Sequence, residues 1–100
     1  MSNFILIRSK VRNFAVWKSA YDEHLPSRQN SGLSEKYLLQ GADDPNEVII
    51  LFEAADLGRA KAFVESANLK EAMQKSGVVD KPDVYFLNGS EQSVAGRGAA

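Results

Sequence analysis

The chain contains no cysteine, which removes disulfide staples, thiolate nucleophiles and Cys-based zinc spacing from consideration. It has a single histidine. A catalytic zinc takes three protein ligands rich in His or Cys, so no metal centre is expected. None of the 7 glycines forms a phosphate loop of P-loop or dinucleotide type, and nucleotide cofactors are not expected either. An excess charge of one sign is also missing, because 12 Lys+Arg against 13 Asp+Glu leave a formal −1. With no basic cluster there is no positive field for nucleic acid to bind. The longest apolar runs, residues 4–7 and 48–52, fall far short of the roughly 20 residues that span a bilayer. The N-terminus enters a strand-like run with no basic region or cleavage site, so a cytoplasmic protein with no membrane partner is expected.

What is present is a globular pattern: 100 residues, 44% apolar, enough for one core that buries roughly two-thirds of the unfolded surface. Residues 3–9 read as a strand, and Asn13 stands at an N-cap position. Phe14, Trp17, Tyr21, His24 and Leu25 follow as one helical stripe. Pro26 should break that helix at Leu25 and Gly32 should end it. Residues 34–41 and 47–54 read as a hairpin around Asp43-Asp44-Pro45-Asn46. Asp56 caps a second helix carrying Leu57, Ala60, Phe63 and Val64, and Asn68 with Glu71 reads as a capping-box restart carrying Leu69, Ala72 and Met73 up to Gly77. Residues 83–87 form the last strand after Pro82. The domain then spans residues 1–87, and residues 88–100 are a polar, small-residue tail expected to be poorly ordered.

The order is βαββαβ. Ser31-Gly32-Leu33 returns as Ser76-Gly77-Val78 at an offset of 45, which also carries residues 4–7 onto residues 49–52. A pseudo-symmetric α+β, ferredoxin-like two-layer domain with a four-stranded antiparallel sheet is the leading expectation. A hairpin and short helix added to an antiparallel sheet would give the same order without the symmetry.

In such a domain the helices cover one face of the sheet, and the other face should alternate to polar residues. These strands do not alternate. Sequence parity puts Phe4, Leu6, Val48, Ile50, Phe52, Val84 and Phe86 in one set, and Ile5, Ile7, Ile49, Leu51, Tyr85 and Leu87 in the other. Both faces are therefore apolar, beyond what a monomer leaves exposed. A second copy, sheet against sheet, is the simplest cover, so a homodimer is expected.

A resemblance rests on Val16-Trp17-Lys18, Tyr21-Asp22, His24 and Arg28 leading to Gly32-Leu33, on the turn at Asp43-Asp44-Pro45-Asn46, on Phe52-Glu53, and on Leu69-Lys70-Glu71-Ala72-Met73 with Gly77-Val78 and Pro82. Over roughly residues 3–87 the chain resembles the dimeric α+β-barrel superfamily, in particular its antibiotic-biosynthesis-monooxygenase-like members and small relatives labelled "cyclase". The resemblance implies two ferredoxin-like sheets facing each other as a barrel with the helices outside. It also implies a ligand cavity between each sheet and its own helices. The activities it suggests range over cofactor-free oxygenation of aromatic polyketides, cyclisation, lactone isomerisation and haem degradation. The haem-degrading relatives carry their axial His on the second helix, whereas His24 falls on the first. No cofactor is expected.

His24 is the side chain whose ordinary pKa lies nearest neutrality, which makes it the candidate for proton transfer. In the expected topology Arg28 and Glu53 converge with it, and a nearby Glu53 carboxylate would orient the imidazole and raise its pKa. His24 and Arg28 are the catalytic candidates. Trp17, Tyr21, Tyr37, Glu53 and Tyr85 are the substrate-binding candidates, with Trp17 and Tyr21 read first as core and Tyr37 and Tyr85 first as cross-strand packing. Arg8, near a strand end, is a site for an anion or simply exposed. RNA-recognition modules share the βαββαβ order, but they read bases with aromatic and basic residues on the central strands, and VIILF at residues 48–52 offers no cation.

Two function classes follow. One is a cofactor-free oxygenase or cyclase-like enzyme acting on a small apolar or aromatic molecule, with Arg28 or Tyr37 stabilising developing charge. The other is a non-catalytic ligand-binding or dimerisation module, since fold alone does not carry function. A closed cavity of about 300 Å³ or more with His24 facing it favours the first; a first helix packed flush on the sheet favours the second.

Overall fold

Strand β1 (Asn3–Lys10) leads into helices α1 (Phe14–Glu23) and α2 (Leu25–Asn30), followed by β2 (Leu33–Gln40), β3 (Glu47–Ala54), α3 (Leu57–Val64), α4 (Ala67–Ser76) and β4 (Asp83–Asn88). This is the order in the computed structural model, which describes residues 3–79 and 81–89. The sheet order is β2-β3-β1-β4, and all three pairings are antiparallel. The domain is thus α+β with a ferredoxin-like sheet. Among the described residues no helix is long and apolar enough to cross a membrane.

Local chemistry sets the boundaries. The Asn13 side chain accepts a hydrogen bond from Val16 N at the start of α1, and Asp56 accepts from Gly58 N and Arg59 N at the start of α3. At the start of α4 the cap is Ser66, whose hydroxyl accepts from Leu69 N. This corrects the capping box expected at Asn68: the helix begins one residue before it, so Asn68 lies inside the first turn. Pro26 sits in the first turn of α2, where its missing N–H is not needed. The strand expected at residues 34–41 runs one residue earlier, and β4 takes in Asn88, a residue expected in the tail; residues 90–100 lie outside the described residues.

The repeated glycines share a geometry. Gly32 and Gly77 are the residues with positive φ among those described, at 77° and 89°, a left-handed turn that ends a helix at little cost only for glycine. Each then hands the chain back to the sheet: Gly32 O accepts from Ala55 N and Gly77 O from Arg12 N. The internal symmetry is therefore a repeated helix-to-strand turn.

Register decides which side chains meet. Ile5 lies opposite Phe52 and Phe86, Ile7 opposite Ile50 and Val84, and Ser9 opposite Val48. The odd positions of β1 thus share a face with the even positions of β3 and β4, so the parity sets read from sequence regroup across strands. Ile5, Ile7, Val48, Ile50, Phe52 and Ala54 are buried under the helices with Trp17, Tyr21, Leu33 and Ala60. Phe4, Leu6, Ile49 and Leu51 occupy the opposite face, where no helix packs. Leu25, expected on the buried stripe, is exposed, and Arg28 is buried one turn later. The break at His24 resets the helical phase.

Alanine at Gly32 combines left-handed strain with a Cβ placed 3.2 Å from Ala55 Cβ, whereas alanine at Gly77 meets Arg12 Cβ at 3.5 Å, an ordinary contact. Urea unfolding at matched protein concentration is expected to show Gly77→Ala losing about 1–2 kcal/mol and Gly32→Ala losing more. Equal losses would mean that the Ala55 contact relaxes freely.

Candidate functional site

The first helical pair crosses the sheet with its aromatic stripe facing down. Phe14 and Trp17 have ring centroids 5.8 Å apart, and Trp17 stacks on Tyr21 at 4.7 Å. The Tyr21 hydroxyl donates a 2.7 Å hydrogen bond to Glu35 Oε1 on β2. At the α1–α2 junction the His24 amide donates to the carbonyls of Ala20 and Tyr21, and its ring lies 5.9 Å from that of Phe63 on α3. Arg28 turns back under the junction. Its guanidinium sits 3.6 Å over the Tyr21 ring, and Nη1 donates a 2.6 Å bond to the Tyr21 carbonyl.

These groups surround a half-open cavity of about 70 Å³. Its floor is Ile7, Ser9, Ile50 and Phe52 of the sheet; its walls are Trp17, Ala20, Tyr21, His24 and Arg28; and its roof is Phe63, Leu69 and Met73. Phe63 also borders an open polar groove of about 430 Å³ lined by Ser27, Asn30, Ser31, Arg59, Ala62 and Ser66. The Arg59 guanidinium crosses that groove to donate to the Asn30 carbonyl.

The cavity is mostly apolar, but two of its polar residues are nearly withdrawn from solvent: Arg28 is 6% exposed and Ser9 is 5%. Arg28 makes no ion pair within 4 Å among the described residues, and its charge is met by the Tyr21 carbonyl, the Tyr21 ring face and the field of Glu35. Burial lowers its pKa, with Tyr21, Glu35 and Asp22 acting against the shift. The Tyr21 phenol is pushed well up, first by burial and then by its bond to Glu35, so it is a neutral donor at physiological pH. His24 is shifted down, by burial first and by the Arg28 charge second. At neutral pH the imidazole is therefore unprotonated and able to accept a proton.

Trp17, Tyr21, His24 and Arg28 thus meet in one place. Glu53, Tyr37 and Tyr85 do not. Glu53 pairs with Lys36 at 3.1 Å, and its strand position, between Phe52 and Ala54, faces away from the helices. The downward shift of His24 replaces the rise expected from Glu53. The carboxylate facing the site is Glu35, two positions from Leu33 on the helix-facing side. Simple alternation would bring Tyr37 to that side as well, but an extra residue at Lys36 shifts the register and turns Tyr37 outward, opposite Leu51. Tyr37 is 61% exposed and Tyr85 53%. Arg8 is held by carboxylates, with Nε 2.7 Å from Glu47 Oε2 and Nη1 3.3 Å from Asp83 Oδ2, which leaves no open seat for an anion.

Ser9, Glu35, Phe63 and Met73 are site residues that sequence reasoning missed. Ser9 carries a faint signal, as the polar interruption after an apolar strand. The bulge that orders Glu35 and Tyr37 leaves none. Among the described residues no group of three or more His, Cys, Asp or Glu side chains gathers as a metal site.

Titration of the His24 imidazole followed by NMR is expected to give a midpoint below the usual 6.5. Since the folded state prefers the neutral ring, the unfolded chain binds the extra proton. Stability from this group is present above pH 6.5 and lost as pH falls through the folded midpoint. In Arg28→Gln the midpoint should rise; a midpoint above 6.5 in the native protein would contradict the assigned environment.

No protein-family model and no curated protein matches this sequence. Solved structures do share its fold. A protein from Bordetella bronchiseptica, provisionally named an antibiotic biosynthesis monooxygenase, superposes with a TM-score of 0.72 at 13% identity over 90% of this chain and 99% of its own. A similarly named protein from Nitrosomonas europaea gives 0.69 at 18% identity over 90% and 91%. SnoaB, described as a cofactor-independent oxygenase from Streptomyces nogalater and solved in a mutant form, gives 0.66 at 11% identity over 94% and 97%. The chain therefore has the ferredoxin-like fold of the antibiotic biosynthesis monooxygenase-like proteins.

Proposed function

We propose that this protein is a cytoplasmic, cofactor-free monooxygenase-like enzyme acting on a small apolar or aromatic molecule with an acidic C–H or O–H. The observation that carries the reading is His24 lining a mostly apolar cavity beside the buried Arg28, where burial favours the neutral imidazole. His24 takes the substrate proton. Arg28 stabilises the oxyanion that develops, while Phe52, Phe63 and Trp17 keep water away. The fold shared with SnoaB, described as cofactor-independent, supports this chemistry.

Oxygen consumption with a panel of small phenols and enolisable ketones tests it. Turnover by the native protein should fall on the order of 10²–10⁴-fold in His24→Gln. No turnover anywhere in the panel, or unchanged turnover in the variant, would reject it. The second reading, a non-catalytic binding module, is favoured by cavity size: about 70 Å³ lies well under the ~300 Å³ of ordinary ligand pockets. It predicts saturable ligand binding without oxygen uptake.

The functional unit in either reading is a homodimer joined through the uncovered sheet face. Leu39, Tyr85 and Leu87 add to Phe4, Leu6, Ile49, Leu51 and Tyr37 there. Arg8 with Glu47 and Asp83 lies toward one end of that face, and Lys36 with Glu53 toward the other. An apolar centre with a charged rim is the anatomy of a protein interface. Sedimentation at micromolar concentration should give twice the 11.0 kDa chain mass, 22 kDa, and Leu51→Asp should return the chain to 11 kDa. A native species at 11 kDa would refute the assembly.

A further inference from the structure

We propose that the cavity selects an ionised ligand, a small monoanion that seats a carboxylate or enolate oxygen on Arg28; this deepens the proposed function and rests on the same site. A guanidinium carries five N–H donors, and among the described residues the Arg28 guanidinium makes one hydrogen bond, to the Tyr21 carbonyl. Its π face is occupied by the Tyr21 ring. Glu35, whose charge acts on Arg28, forms no ion pair with it within 4 Å and already accepts the Tyr21 hydroxyl. With the residue 6% exposed, its other donors have little bulk water to turn to, and a buried cation lacking an ion-paired partner is costly.

The surroundings point the same way. The other nearly buried polar side chain on the cavity wall, Ser9, makes no hydrogen bond among the described residues. The Trp17 indole, equally buried, makes none either. The unmet polar capacity of the cavity is therefore dominated by donors, and the formal charge on its lining is the positive charge of Arg28. A ligand rich in acceptors and negatively charged completes it, whereas a neutral hydrocarbon leaves the spare donors of Arg28 unmet. The small volume limits the body attached to that anion to about a single ring. Bidentate recognition of a carboxylate is what a guanidinium does best.

The test uses the full-length protein and two unreactive probes of matched shape, benzoate and its neutral counterpart benzamide. Trp17 is the sole tryptophan and lines the cavity, so its fluorescence reports occupancy there. Benzoate is expected to change the Trp17 emission saturably and to bind at least tenfold more tightly than benzamide, with the preference lost in Arg28→Gln. Arg28→Lys, which keeps the charge but not the forked donors, should retain part of it. If Arg28→Gln fails to fold, the comparison of the two probes on the native protein decides. Equal affinity for benzoate and benzamide, no response of Trp17 to benzoate up to tens of millimolar, or an unchanged preference in a folded Arg28→Gln overturns the proposal. Because neither probe is enolisable, anion selectivity stands or falls apart from oxygen turnover. Loss of turnover in the His24→Gln assay leaves this result untouched, and the reverse holds as well.

Discussion

Strand register is the constraint on which the rest of this structure depends. In an antiparallel sheet a slip of one residue exchanges every inward side chain for an outward one, and here both alternatives are apolar enough to be stable. Hydrophobicity alone does not choose between Ile5 and Phe4, or between Ile50 and Ile49, as the residue under the helices. The choice is made at the ends of the strands. The capped starts at Asn13 and Asp56 and the left-handed turns at Gly32 and Gly77 fix where each strand begins and ends. The pairing of β1 with both β3 and β4 then propagates that choice across the sheet.

The elements and their order were readable in the sequence because caps, glycines and prolines act locally. Asn13, Pro26, Gly32, Asp56 and Gly77 each do what their backbone chemistry requires, whatever the tertiary context. Four of the proposed site residues, Trp17, Tyr21, His24 and Arg28, could be read for a related reason: they lie on one short stretch of helix whose periodicity places them together. Glu53, Tyr37 and Tyr85 could not, because their facing depends on pairing between strands distant in sequence. For Tyr37 it depends further on one extra residue at Lys36. The same limit hid Glu35, whose carboxylate meets Tyr21 from a strand 14 residues away.

The site's chemistry follows from that sorting. The helix-facing side of the sheet supplies a dry floor, and α1 and α2 bring an imidazole and a guanidinium to it. Burial then acts on each ionisable group in the same sense, toward its neutral form. It depresses His24 and Arg28 and raises Tyr21. The opposite side of the sheet receives the remaining apolar residues with ion pairs toward both ends, a surface suited to a second copy. The proposed site and the proposed interface are thus two faces of one four-stranded layer, and the register that assigns Ile50 to one and Leu51 to the other separates them.

The most direct test is a methyl NOE spectrum of the folded protein. The Trp17 and Tyr21 ring protons should show cross-peaks to the methyl groups of Ile7 and Ile50 and none to those of Leu6, Ile49 or Leu51. Cross-peaks from these rings to the second set would mean that the sheet presents its other face to the helices, and both the cavity and the interface described for it would be wrong.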